Sequence, residues 1–153
     1  MHLLAEVSTN VQCPVEVAYA YACDLRKFGQ WFPGVVDIIA EDELDLAATG
    51  KAYLETVSVP LRGNRKVCIV VKDAQRSSFF ITEGSLRPLL PRMEIRFDAL
   101  AENSTHVNWR MYSLNQSTLV RVILVPLARR VVQTRAKTAM KNLQLKLEAT
   151  SRV

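Results

Sequence analysis

The residues best placed to do chemistry lie in one run, Lys51-Ala52-Tyr53-Leu54-Glu55-Thr56-Val57-Ser58-Val59. Read as a strand, the run puts Tyr53, Glu55, Val57 and Val59 on one face and Ala52, Leu54 and Thr56 on the other. If the first face looks inward, Glu55 is a carboxyl among apolar neighbours. Its charged form is then penalised by desolvation and its pKa rises. Such a group can make a polar contact to a ligand or act as a general acid or base, with Tyr53 as a second proton-transfer group. If the other face looks inward, Glu55 is solvated and carries no chemistry. The alternation leaves both orientations open.

Other reaction classes find little footing. His2 and His106 are the only histidines. His2 is terminal and His106 falls on the polar side of a strand, so neither a Ser-His-Asp set nor a metal cluster can be assembled. Cys13, Cys23 and Cys68 are odd in number and none are at C-x-x-C spacing. They read as three structural, reduced thiols, which points to a cytoplasmic chain with no disulfide framework. Five glycines include no phosphate-binding loop. No metal and no cofactor is expected.

A second set of residues has the size to shape an interior. Trp31, Phe32, Phe97, Trp109 and Met111 are large and fall at inward-reading positions, and Leu124 and Leu127 lie in an apolar helical stretch. With Tyr53, Glu55 and Val57 they form the candidate ligand-binding set. Taken one at a time, the aromatics serve equally as core filling.

The elements that must hold these groups emerge from periodicity. Residues 4–11 alternate as a half-buried strand. Pro14 precedes a short helix over Val15–Cys23, and a second helical piece over Leu25–Phe32 is stopped by Pro33-Gly34. Strands are expected over Val35–Ala40, Lys51–Val59, Lys66–Lys72 and Ser77–Glu83. Arg87–Pro91 reads as a loop because two prolines do not suit a sheet interior. Met93, Ile95, Phe97 and Ala99 then alternate with Glu94, Arg96 and Asp98. After a turn near Asn103-Ser104, Val107, Trp109 and Met111 alternate in the same way, a hairpin with one dry face and one wet face, on which the register decides whether Asp98 lies near Arg110. A long helix over Leu119–Ala149 carries two apolar stripes pointing in different directions: Val120, Leu124, Leu127 and Val131, then Val132, Ala136, Ala139, Leu143 and Leu147. Pro126 is expected to break or kink it between them.

Net charge is +5 over 153 residues. From Thr118 to Val153 there are eight cationic side chains, Arg152 among them, against Glu148 alone. That segment carries +7, leaving −2 for the remainder. The basic helix reads either as an ordinary solvated face or as a surface for anionic lipid, with Leu119–Leu127 dipping into a membrane. Nucleic acid is not an expected partner, since exposed aromatics are not interleaved with the basic residues. No secretory leader is apparent at Met1–Glu6, and the most apolar stretch is too short to span a bilayer.

One antiparallel sheet with one dry face and one long amphipathic helix to cover it gives an α+β domain over 1–153. Several segments resemble the START-like, or Bet v 1-like, superfamily, and within it the polyketide cyclase/dehydrase-type bacterial proteins. They are Cys13-Pro14-Val15-Glu16-Val17, Asp24 with Trp31-Phe32-Pro33-Gly34-Val35, Gly50 before the third strand, Thr105-His106-Val107-Asn108-Trp109, and the Ala139 to Leu147-Glu148 ending. The resemblance spans nearly the whole chain. It implies a helix-grip fold: a curved antiparallel sheet of six to seven strands around a long C-terminal helix, with two short helices after the first strand.

The resemblance also implies an internal cavity for a small hydrophobic ligand such as a lipid, polyketide or aromatic compound. Arg62 or Arg87 would stand near its rim, and the loops 61–64 and 87–91 with Leu119–Leu127 would form its entrance. Two other functions remain open: a cyclase/dehydratase- or isomerase-type enzyme using Glu55 or Tyr53 in the same cavity, and a quinone- or membrane-associated interaction protein. Oligomeric state is not legible.

Overall fold

The structure is a computed structural model that describes residues 1–151; Arg152, one of the eight cationic side chains of the C-terminal segment, lies outside them. Strands β1 (His2–Val11), β2 (Val35–Ala40), β3 (Ala52–Val59), β4 (Gly63–Gln75), β5 (Phe79–Gly84), β6 (Pro91–Ala101) and β7 (Ser104–Ser113) form one antiparallel sheet. Their order is β1-β7-β6-β5-β4-β3-β2. Helix α1 (Val15–Ala22) and a 3-10 helix (Leu25–Gln30) come after β1, and helix α2 (Val125–Ser151) closes the chain. The helix-grip architecture is therefore the one observed.

Alternation sets which side chains enter the core. On β6 Met93, Ile95 and Phe97 are buried, and on β7 Val107 and Trp109 are. Helix α2 lies along β1 and buries Ala136, Ala139, Met140, Leu143 and Leu147. This is the second of the two stripes. Asp24 caps the 3-10 helix through the Arg26 amide, so the chain turns sharply and delivers Leu25 and Phe28 to the core.

Three expectations are corrected and one open register is settled. Pro126 does not interrupt the helix: Val120–Leu124 forms a π turn, with the Val125 amide donating to the Val120 carbonyl, and the chain stays helical into α2. The added residue in that turn rotates the helix beyond it. Val125 is buried in consequence, and Leu127 of the first stripe points out, 60% exposed. Asp98 stands opposite His106, while Arg110 stands opposite Glu94 on one side and Glu6 on the other, and it pairs with Glu6. Cys68 is exposed rather than packed, because Val67 and Ile69 take the inner face of β4.

Candidate functional site

The inner face of β3 is the one carrying Tyr53 and Glu55. Tyr53 is fully buried and Glu55 is 8% exposed. Glu55 sits between Ile38 on β2 and Val67 on β4, both buried. Among the described residues no group donates a hydrogen bond to its carboxyl. Burial pushes its pKa up from 4.5 to about 7, against the opposing pull of the positive charge on Arg135. At neutral pH a large share of the molecules therefore hold this carboxyl protonated, as a donor facing apolar surroundings.

Glu55 borders a small, partly open cavity of about 50 Å³, lined also by Leu25, Phe28, Ile69, Thr82, Met93 and Met111 among others. The Thr82 residue is itself buried, so two polar side chains meet in an otherwise oily space. The expected void is much smaller than a small-molecule pocket, which holds on the order of 300–1,000 Å³. The reason is visible in the aromatic residues. Phe28 packs edge-on to Trp31 with ring centres 4.9 Å apart, stacks on Phe32 at 5.0 Å, and Phe32 leans on Trp109 at 5.2 Å. Trp31, Phe32 and Trp109 thus fill the interior against one another. The indole nitrogens of Trp31 and Trp109, buried without partners among the described residues, mark the cost of that packing.

The other candidates separate in the same way. Met111 lines the cavity beside Glu55. Phe97 is spent on an edge contact with Tyr19 at 5.3 Å, Val57 packs on the margin of the core, and Leu124 is half-buried in the π turn. Leu127 faces away from the interior. Tyr53 does not reach the cavity: its hydroxyl donates to the Leu46 carbonyl at 2.5 Å, and burial pushes its pKa up to about 12. It is a strut for the β2–β3 loop.

Three buried charges escaped sequence reasoning: Asp24 and Glu94, each held by an arginine, and Lys51. Lys51 is 2% exposed; its ammonium lies 2.9 Å from the Asp42 carboxylate, donates to the Asp42 carbonyl, and sits 5.5 Å from the Tyr53 ring centre. Lys51 shares strand parity with Tyr53 and Glu55, so the inward reading of that face extends to it, but nothing local shows the counter-charge that permits its burial.

No family model matches the sequence, and no curated protein does. Solved structures do. A START superfamily protein from Mycobacterium smegmatis superposes with a TM-score of 0.75 at 12% identity, covering 98% of this chain and 99% of that one. The di-domain ARO/CYC StfQ from the steffimycin biosynthetic pathway gives 0.73 at 14% identity over 97% of this chain, which spans about half (51%) of that two-domain protein. The structure of Ara h 8.0201 gives 0.65 at 11% identity, covering 94% of this chain and 96% of that one. The chain has the helix-grip fold these proteins share.

Proposed function

We propose that this protein binds a small hydrophobic ligand between sheet and helix, and that Glu55 supplies the polar contact that orients it. The observation that carries the reading is a carboxyl without a hydrogen-bond partner, facing an apolar cavity at the centre of a helix-grip fold. A protonated acid is a strong donor in a dry site, and a ligand carbonyl or hydroxyl would satisfy it. Burial of the ligand's apolar surface would supply the affinity. The structurally similar ARO/CYC StfQ of the steffimycin biosynthetic pathway fits such a ligand class.

The space beside Glu55 has room on the scale of water, so a guest must displace side chains. Met93 and Met111, long and unbranched, are the walls most able to yield. Acid–base chemistry by Glu55 alone is the remaining enzymatic alternative, since Tyr53 is committed elsewhere. Native mass spectrometry of the protein purified from its own host tests the proposal. A retained apolar compound, lost in Glu55→Gln, supports it. A bare chain that gains no thermal stability from any lipid, polyketide or aromatic compound overturns it.

A further inference from the structure

The antiparallel register gathers several segments at one end of the sheet. His2 pairs with Ser113, Ser113 with Pro91, Glu83 with Arg92, Val59 with Gly63, and Val35 with Val57. The β3–β4 hairpin tip, the β5–β6 loop, the N-terminus and the start of the C-terminal helix therefore share that end. The segments reaching it, 1–5, 31–36, 56–72, 84–93 and 112–135, contain no Asp or Glu, and exposed Asp37, opposite Thr56, stands at the inner limit of that end against the cations. They do carry Arg62, Arg65, Lys66, Arg87, Arg121 and Arg130, all exposed. Glu83 and Glu94, on the adjoining strands, are already bonded to Arg92.

Oily side chains are exposed at the same end. In the π turn and the first turns of α2, Leu119, Val122, Ile123, Pro126 and Leu127 all face out. Their spacing is that of an apolar helix stripe, but here the stripe points away from the core. No residue of the π turn is buried. Leu61, at the hairpin tip, is fully exposed in a left-handed conformation with φ 65°. A contiguous oily stripe flanked by unopposed arginines is the composition that seats a helix at the boundary of an anionic bilayer, apolar side down and cations against the headgroups.

We propose that this end of the molecule docks on an anionic phospholipid surface, with the Leu119–Leu127 stripe inserted and Leu61 as a second point of insertion. The charge argues for lipid over a second copy of the chain: two such ends meeting would bring like charges together. This inference is independent of what the cavity holds.

Co-sedimentation with vesicles of phosphatidylcholine alone, and of phosphatidylcholine mixed with phosphatidylglycerol, tests it. Binding is expected on the mixed vesicles only, weakening as salt is raised. Arg121→Glu with Arg130→Glu should lower partitioning by at least about tenfold, since each cation near such a surface contributes about fivefold. Val122→Asp with Ile123→Asp should abolish it while the circular dichroism and Tm stay those of the parent. Equal binding to both vesicle types, absence of binding, or indifference to either double substitution overturns the proposal. So does a concentration-dependent dimer that the aspartates split, which would assign the stripe to a second copy.

Discussion

The guanidinium of Arg135 lies flat against the bare face of Gly34: a Cβ built on that glycine would stand 2.4 Å from Nη1 and 2.6 Å from Cζ. Gly34 adopts φ +90°, which side-chain-bearing residues rarely do. The contact clips α2 to the turn before β2 and sets a positive charge where it acts on Glu55. Gly34→Ala should cost about 1–2 kcal/mol from backbone strain, because the flexible arginine can move aside but the peptide cannot. Urea unfolding measures this, and an unchanged midpoint would show that the turn relaxes freely.

Arg135→Met keeps the turn and removes only the charge. The Glu55 carboxyl should then titrate above about 7, because the one opposing pull on its pKa is gone. Carboxyl-carbon NMR of labelled protein tracks the titration directly. If the curve does not move, Arg135 is too well screened to matter to Glu55.

The raised pKa of Glu55 makes a statement about stability. The folded state holds this proton up to about pH 7, and the unfolded chain releases it near 4.5. Between those values the folded form binds more protons, so stability falls as pH rises through the window. Taken whole, the shift corresponds to about 3 kcal/mol of destabilisation above pH 7. Glu55→Gln should abolish this slope and be the more stable protein at pH 8. Denaturant midpoints for both proteins across pH 5 to 8 decide it, and parallel profiles would mean that the carboxyl reaches water in solution.

These energetics explain what was legible in the sequence and what was not. Strand parity is a local rule, so the inward face of β3 was one of two choices, and alternation on β6 and β7 placed Phe97 and Trp109 correctly inside. The Ala136-to-Leu147 stripe was equally plain. Whether Trp31, Phe32 and Trp109 would line a space or fill it depends on ring-to-ring packing between distant segments, and no spacing encodes that. Leu127 was misplaced because one π turn resets the phase of everything after it. Lys51 was missed because its burial depends on Asp42, nine residues earlier, folding back over it.

That fold-back gives a further test. Asp42→Asn would leave the buried Lys51 ammonium without its counter-charge, whereas Lys51→Met removes the charge and keeps the packing on Tyr53. Asp42→Asn should lower Tm more than Lys51→Met, and the double substitution should recover part of the loss. Calorimetry on the three variants checks the order. The reverse ranking would mean that the ammonium finds water.

Phe28 is a wall shared by the cavity and the aromatic stack. Its ring touches Trp31 and Phe32, and it lines the same cavity as Glu55. Truncation to alanine should cost about 3–5 kcal/mol, part from lost burial and part from the enlarged hole. An apolar hole of that size stays dry and accepts small aromatic molecules. Phe28→Ala should therefore gain thermal stability from benzene or phenol, and phenol should do better because its oxygen can reach the Glu55 carboxyl. In Phe28→Ala with Glu55→Gln the preference for phenol should shrink while the response to benzene persists. Such a pattern would separate the oily part of the site from its polar part. If neither compound shifts Tm in Phe28→Ala, the aromatic stack has collapsed into the gap and the interior is not a place where a guest can be held.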